Sequence, residues 1–353
     1  MASGALGAQT LQEILSQPAV WRSVATVLPD WRRIPPAFDP PPAAILFTGC
    51  GSSYYAAQAA AAVFQRVTHI PSSAVPASEL LLYPELTPGT GRPPLLIAIS
   101  RSGTTSETVA ATSAARRRDV RVLSVVCDAT SALAQASDHV LAFPAAQEQG
   151  LVMTRSFTTM LLGLQHCAGM LAGDDDYLSD LATLSEAGTR LASALVGMDS
   201  PWSQLVVLGG GPLFGLAQEA AMKVREASLT DAIAYHPLEF RHGPTAVIDE
   251  HTLVLLLATE SARPEEAALV QDVQALGARV VAIADCADGL PADAIVELRS
   301  GVVEYARQVL FMLPIHLLAY QRAVAKGIDP DVPRNLSRAV ILNGLQADGA
   351  TRR

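Results

Sequence analysis

Short runs of β-branched and leucine residues alternate along this chain with alanine-rich stretches of helical length. The runs include Ile45-Leu-Phe-Thr48, Leu95–Ile99, Val122–Val126, Leu205–Leu208, Leu253–Leu257 and Val280–Ala284. Near-continuous apolar runs of this length read as strands buried on both faces. Their alternation with helices predicts βα units, a parallel sheet, and helices on both sides of it. Thr10–Leu28 predicts an opening helix, and the proline-rich stretch Pro35–Pro42 separates it from the first strand. Leu171–Asp180, with Gly173 and a cluster of aspartates, reads as a connection before a polar helix. The tail from Lys326 carries Asp329-Pro-Asp-Val-Pro-Arg-Asn335 and cannot be regular helix there.

The pattern is written twice. Ile45-Leu-Phe-Thr-Gly-Cys-Gly-Ser-Ser-Tyr is echoed by Leu205-Val-Val-Leu-Gly-Gly-Gly-Pro-Leu-Phe, so Gly49 to Gly209 is an offset of 160 residues. Leu95–Ile99 is echoed by Leu253–Leu257. Asp119-Val-Arg-Val-Leu-Ser-Val-Val-Cys-Asp is echoed by Gly277-Ala-Arg-Val-Val-Ala-Ile-Ala-Asp, with Arg121 to Arg279 an offset of 158. That period is too long for a solenoid, so each copy should be a domain. The expected division is an N-terminal helix and linker over 1–40, a first domain over 41–180, a second over 190–325, and a tail over 326–353.

Composition narrows the class. A chain of 353 residues has room for two domains, and half of its residues are hydrophobic against 17% charged. No run reaches the roughly 18 apolar residues that a membrane span needs. No basic stretch and long apolar segment mark a signal peptide, so a cytoplasmic protein is expected. The net charge of −9 argues against a nucleic-acid surface. Cys50, Cys127, Cys167 and Cys286 have no metal-ligand spacing and read as reduced thiols. Neither a metal nor a cofactor is expected. Gly209-Gly-Gly211 with Gly215 has the wrong spacing for a dinucleotide fingerprint.

The candidate chemistry begins where the Leu95–Ile99 strand ends in Ser100-Arg-Ser-Gly-Thr-Thr-Ser-Glu-Thr108. A strand feeding a helix through such a loop aims backbone N–H groups, hydroxyls and the positive helix end at one point, which suits a phosphate. The donors are Ser100, Ser102, Thr104 and Thr105, and no P-loop lysine follows. The second copy has Ala258-Thr-Glu-Ser-Ala-Arg-Pro-Glu-Glu266 at this station, whose carboxylates would repel a phosphate. It carries titratable groups elsewhere: Lys223 and Glu226 on one predicted helix, then Arg241-His242-Gly-Pro244. Lys223 precedes Glu226 by three residues, which suits a structural ion pair as well as a substrate contact. His69, His139, His166, His236, His251 and His316 share no motif and read as structural; His236 lies nearest the His242 loop.

These motifs, in this order, resemble the double SIS (sugar isomerase) domain family. The closest pattern is that of the isomerase half of glucosamine-6-phosphate synthases and their stand-alone amino-sugar-phosphate relatives. Gln12-Glu-Ile-Leu-Ser-Gln-Pro18 is similar to the family's opening helix. Gly49-Cys-Gly-Ser-Ser-Tyr54 and the Ser100–Thr105 loop resemble its two sugar-phosphate loops. Glu148-Gln-Gly-Leu-Val-Met-Thr-Arg-Ser-Phe-Thr-Thr159 resembles the segment that closes over the sugar. Glu219–Glu226 and Glu239-Phe-Arg-His-Gly-Pro244 resemble the catalytic helix and loop, and Asp331-Val-Pro-Arg-Asn-Leu-Ser-Arg338 resembles the C-terminal lid. The resemblance implies two tandem flavodoxin-like three-layer α/β domains. It implies that Ser53, Ser100, Ser102 and Thr105 hold the phosphate, with Gly51, Ser52 and Arg101 beside them. Glu148, Leu151, Lys223 and Ser337 would join the sugar site. Glu226 would move a proton between C1 and C2. His242 would open the sugar ring in the neighbouring subunit's site, which implies a homodimer.

Two departures bear on the reaction. Ala2 follows Met1 and the chain opens at the isomerase helix, so a glutaminase is not expected. Arg338 stands where the synthases place a lysine that can condense with the open-chain carbonyl. A guanidinium cannot, so Arg338 is expected to hold hydroxyls or phosphate. Arg155 is a similar lysine-to-arginine change. The leading expectation is a glucosamine-6-phosphate deaminase giving fructose 6-phosphate and ammonia. Its rivals are a deglycase of phosphorylated sugar–amino-acid adducts and a non-catalytic sugar-phosphate sensor. A sensor would need the hydroxyl loops but neither Glu226 nor His242.

Overall fold

The structure is a computed structural model and describes residues 6–28, 36–84, 94–194 and 202–342. The chain forms two compact units. One comprises Val20–Glu148, Arg155–Ser179 and Ser337–Arg353; the other comprises Met1–Ala19, Gln149–Thr154 and Asp180–Leu336.

The first unit is built on a five-stranded sheet of β1 (Ile45–Gly49), β2 (Ser72–Pro76), β3 (Leu95–Ser100), β4 (Val122–Val126) and β5 (His139–Ala142). The strand order is β2-β1-β3-β4-β5 and every pairing is parallel. Thr48 lies opposite Val75 on one side and Ala98 on the other. β1, β3 and β4 are buried at every position, as their unbroken apolar runs require. The sheet edges are more polar and only partly covered. Helices α4 (Ser52–Thr68), α5 (Ala77–Leu82), α6 (Ser106–Arg116), α7 (Ala132–Ala136) and α8 (Arg155–Ala172) pack around it, α8 lying against α4. The connection expected over Leu171–Asp180 is only a turn at Gly173 and Asp174, because α8 runs to Ala172 and α9 (Asp175–Ala194) begins at once.

The second unit repeats this plan with β6 (Gln204–Gly209), β7 (Asp231–Tyr235), β8 (Thr252–Leu257), β9 (Arg279–Ala284) and β10 (Ala294–Glu297). Its order is β10-β9-β8-β6-β7, again parallel throughout. The strands fall in the same sequence as in the first sheet, with Gly49 and Gly209 closing β1 and β6. A core of Val206, Leu208, Val254, Leu256, Val280 and Leu269 fills one face. α10 (Phe214–Ser228) packs on α12 (Gln308–Ala325), and α11 (Arg263–Ala275) lies against β9. α12 is buried around most of its circumference, Pro314 included. After Ala325 no helix continues among the described residues, as the prolines of the tail dictate.

The expected single helix over Thr10–Leu28 is instead three short ones, α1 (Ala8–Leu15), α2 (Gln17–Trp21) and α3 (Ser23–Val27). Pro18 is the reason for the first break, because it has no N–H to give the carbonyl four residues back. The side chain of Gln17 replaces that donor, its Nε2 reaching the Ile14 carbonyl at 3.0 Å. Much of the Pro35–Pro42 linker is described, with a short 3₁₀ turn at Pro36–Phe38; Pro35 lies outside the described residues.

Candidate functional site

In an open parallel sheet, ligands bind beyond the carboxyl ends of the strands where the order reverses. In the first unit that point lies between β1 and β3, and both hydroxyl-bearing loops leave the sheet there. Ser52 and Ser53 open α4 and are buried. In the β3–α6 loop, Ser100 Oγ accepts the N–H of Gly103 at 3.1 Å and lies 3.4 Å from Thr105 Oγ1. Ser102 Oγ accepts both the N–H and the hydroxyl of Thr104, at 3.2 and 3.0 Å. Gly103 has φ near +63°, and a Cβ there would overlap Ser131 Oγ at 2.0 Å. Only glycine fits, so the tight bend that gathers these hydroxyls is fixed by one residue.

Arg101 and Glu148 are buried behind this loop. Arg101 Nη1 meets Glu148 Oε2 at 3.3 Å, and Nη2 donates to the Arg338 carbonyl at 3.3 Å. Glu148 also accepts from the Ser156 N–H at 3.2 Å and from the Ser156 hydroxyl. Arg338 returns a bond to the Glu148 carbonyl. The tail then crosses the start of α6. The Ser106 N–H donates to the Val340 carbonyl at 3.2 Å, and Ser106 Oγ accepts the Leu342 N–H at 3.0 Å. Gly51, Ser52, Ser53, Ser100, Arg101, Ser102, Thr105, Glu148, Ser337 and Arg338 therefore all belong to this unit. Within it, Glu148 holds Arg101 and Ser156, a pairing that sequence reasoning did not assign. Cys50 lies in the first loop with its Sγ 3.6 Å from Thr108 Oγ1 of α6, and burial raises its thiol pKa, which disfavours a nucleophilic thiolate.

Lys223, Glu226, His242 and Leu151 belong to the second unit. Lys223 is fully buried on α10 between two carboxylates, with Nζ 3.5 Å from Glu219 Oε1 and paired to Glu226. The ion pair weighed from the spacing is thus present. Glu226 remains 21% exposed while the lysine is 2% exposed, so solvent reaches the carboxylate but not the ammonium. His242 is exposed on a loop between the 3₁₀ turns Glu239–Arg241 and Pro244–Val247. His236 stacks on Phe214 with ring centroids 3.7 Å apart, a packing role.

At the second sheet's reversal point, between β6 and β8, the loop after β8 is filled by the chain itself. The Glu304 carboxylate accepts the N–H groups of Glu260 and Ser261 at 2.7 and 3.0 Å, and the Ser261 hydroxyl at 2.9 Å. Glu260 pairs with Arg307 at 2.6 Å. The donors that could meet an anion are already turned onto a carboxylate, in addition to the repulsion expected from the sequence. Glu304 lies far along the chain in no motif, which left it invisible to sequence reading.

His316 on α12 is 2% exposed, and neither ring nitrogen has a hydrogen-bond partner among the described residues. Burial, and then the Lys223 charge, pull its pKa from 6.5 down to about 3. Between these values the unfolded chain binds the proton and the folded chain does not, so stability is complete above pH 6.5 and falls as pH drops toward 3. His316→Gln is expected to flatten urea-unfolding stability between pH 6.5 and 4 by up to about 1.4 kcal/mol per pH unit. An unaltered slope would remove His316 as its source.

Among the described residues no group of three His, Cys, Asp or Glu side chains is placed to hold a metal. None of their helices is long and apolar enough to cross a membrane.

The paired sheets and the loop between β3 and α6 define a class, and comparison with known proteins gives it a name. The SIS domain matches residues 42–168 and again 200–293, and the chain belongs to the SIS domain family. It is 33% identical over 352 residues to a candidate D-galactosamine-6-phosphate deaminase, AgaS, of Streptomyces coelicolor, covering 92% of this chain and 91% of that one. It is 31% identical over 315 residues to the isomerizing glutamine–fructose-6-phosphate aminotransferase of Brucella abortus. That match covers 84% of this chain, which spans about half the length (51%) of the aminotransferase. Among solved structures, glucosamine-6-phosphate deaminase of Thermotoga maritima superposes with a TM-score of 0.79 at 29% identity, covering 95% of this chain and 100% of that one. Tagatose-6-phosphate ketose/aldose isomerase of Escherichia coli superposes with a TM-score of 0.84 at 27% identity, covering 96% and 97%. These relatives are isomerases, deaminases and aminotransferases of phosphosugars, and thus enzymes.

Proposed function

We propose that this chain is an amino-sugar-phosphate aldose–ketose isomerase that deaminates glucosamine 6-phosphate to fructose 6-phosphate and ammonia. The observation that carries the reading is the likeness, over nearly the full length of both chains, to proteins named as hexosamine-6-phosphate deaminases. The site chemistry supports it. The hydroxyls of Ser53, Ser100, Ser102 and Thr105, with Gly51 and Ser52, suit a dianionic phosphate. His242 opens the ring. Glu226 then removes the proton from C2 of the open aldose and returns it to C1, passing through an enolamine. The resulting C2 iminium takes up water, ammonia leaves, and the C2 ketone remains. Arg338, Ser337, Glu148, Leu151 and Lys223 line or order the sugar site. Arg338 offers charge and hydrogen bonds rather than a covalent amine. His242 acts in the site of a second copy, which makes the working form a homodimer.

The names of the Streptomyces coelicolor and Escherichia coli relatives favour a second reading in which the substrate is the 4-epimer, galactosamine 6-phosphate, with a tagatose product. Incubating the purified protein with each epimer, and following ammonia and ketose together, tests both. Ketose without ammonia would mean simple isomerisation; neither product from either epimer would remove the deaminase reading. Ser102→Ala is expected to raise KM by about tenfold with little change in kcat, the effect of losing one hydrogen bond to a charged group. A fall in kcat at unchanged KM would place Ser102 in the chemical step.

A further inference from the structure

The proposed chemistry leaves one motif without a role, the opening stretch Gln12–Pro18. Glu13, within it, is a carboxylate only 1% exposed. Its Oε1 accepts the N–H of Gln149 at 2.7 Å, the N–H of Gly150 at 3.2 Å, and Nε2 of Gln9 at 2.8 Å. Two consecutive backbone donors of the 149–154 segment thus converge on one side chain of α1. A Cβ at Gly150 would come within 2.7 Å of Glu13 Oε2. The missing side chain at 150 is what lets the carboxylate close on the loop.

The first turn of the same helix is held by the C-terminal segment. Asp331 Oδ1 accepts the Thr10 N–H at 2.7 Å and the Thr10 hydroxyl at 2.6 Å, while Oδ2 accepts the Gln9 N–H at 3.0 Å. Asp329 Oδ1 accepts the Gly7 N–H at 2.9 Å. Carboxylates at a helix's positive end are favourable, so this junction is electrostatically matched as well as hydrogen-bonded. α1 is therefore tied at one end to Asp329–Asp331 and one turn later to Gln149–Gly150. Leu151 follows Gly150 directly in the chain.

We propose that α1 is a splint that sets the conformation of the 149–154 segment, with Glu13 as a positioning residue for substrate binding. This rests on the function proposed above, in which Leu151 belongs to the sugar site. Glu13 acts through the backbone of 149–150, and its charge matters because hydrogen bonds to a carboxylate are roughly twice as strong as those to a neutral acceptor.

Glu13→Gln keeps the shape and removes the charge. With glucosamine 6-phosphate it is expected to raise KM about tenfold, with kcat within about threefold, while amide exchange quickens in 149–154 and not in β6. Thr10→Val, which removes one bond to Asp331 and leaves Glu13 in place, should move KM in the same direction by less; it serves if Glu13→Gln fails to fold. An active wild type whose KM is unmoved by either substitution overturns the proposal, whatever happens to Tm. A wild type that turns over neither epimer removes the proposed function instead. Exchange in 149–154 then tests the splint by itself, and exchange unchanged by Glu13→Gln overturns it.

Discussion

Glu226→Gln should bind the sugar phosphate and lose turnover by about 10² to 10⁴, the span that a positioned general base contributes. The substitution changes no shape. Glutamine can still take a hydrogen bond from Lys223, which keeps Glu219 as its second partner at 3.5 Å. What glutamine cannot do is carry a proton from C2 to C1. The proposed role draws on the exposure of this ion pair. The carboxylate is partly exposed, while its ammonium partner is buried and held between two acids. Single-turnover kinetics and calorimetric titration of the ligand would separate chemistry from binding. A variant retaining more than about a tenth of wild-type turnover would remove Glu226 as the shuttle.

The largest expected loss of stability lies at the other loop. Glu148→Ala should cost about 3–5 kcal/mol of unfolding free energy, the usual result of stripping one partner from a buried ion pair. Arg101 is 5% exposed and would keep its contact with the Arg338 carbonyl, but lose its ion pair with Glu148. Ser156 would lose its acceptor as well. Urea unfolding of Glu148→Ala, of Arg101→Met and of the double Arg101→Met/Glu148→Leu variant forms the test. Replacing both charges by apolar groups should recover much of the loss, because the buried pair is then removed whole rather than halved. A single substitution costing less than about 1 kcal/mol would show that the pair carries little of this loop's stability.

These two expectations differ in how far the sequence could reach them. Glu226 stands in a motif of spaced titratable residues on one helix, and helical spacing alone offered a pairing with Lys223 beside a substrate contact. Arg101 and Glu148 are separated by 47 residues. Nothing local joins them; the sheet does, by bringing the end of β3 beside the segment after β5. The same limit hid Glu304, whose carboxylate fills the loop after β8 from 43 residues away. It also hid the contact of Glu13 with Gln149 and Gly150 across about 136 residues. The opening helix was misjudged for a local reason. Thr10–Leu28 reads as one opening helix, but the missing N–H of Pro18 breaks it.

What the chain's order of residues determined by itself is its alternation. Apolar runs separated by alanine-rich stretches admit little besides parallel strands under helices, and hydroxyls at the end of one run mark where an anion can sit. Those are short-range consequences of burial and of backbone polarity, legible within ten residues. Which charges meet was decided only by tertiary structure. A buried carboxylate takes whichever donors the fold delivers to it, and no local pattern records a partner that arrives from a distant strand.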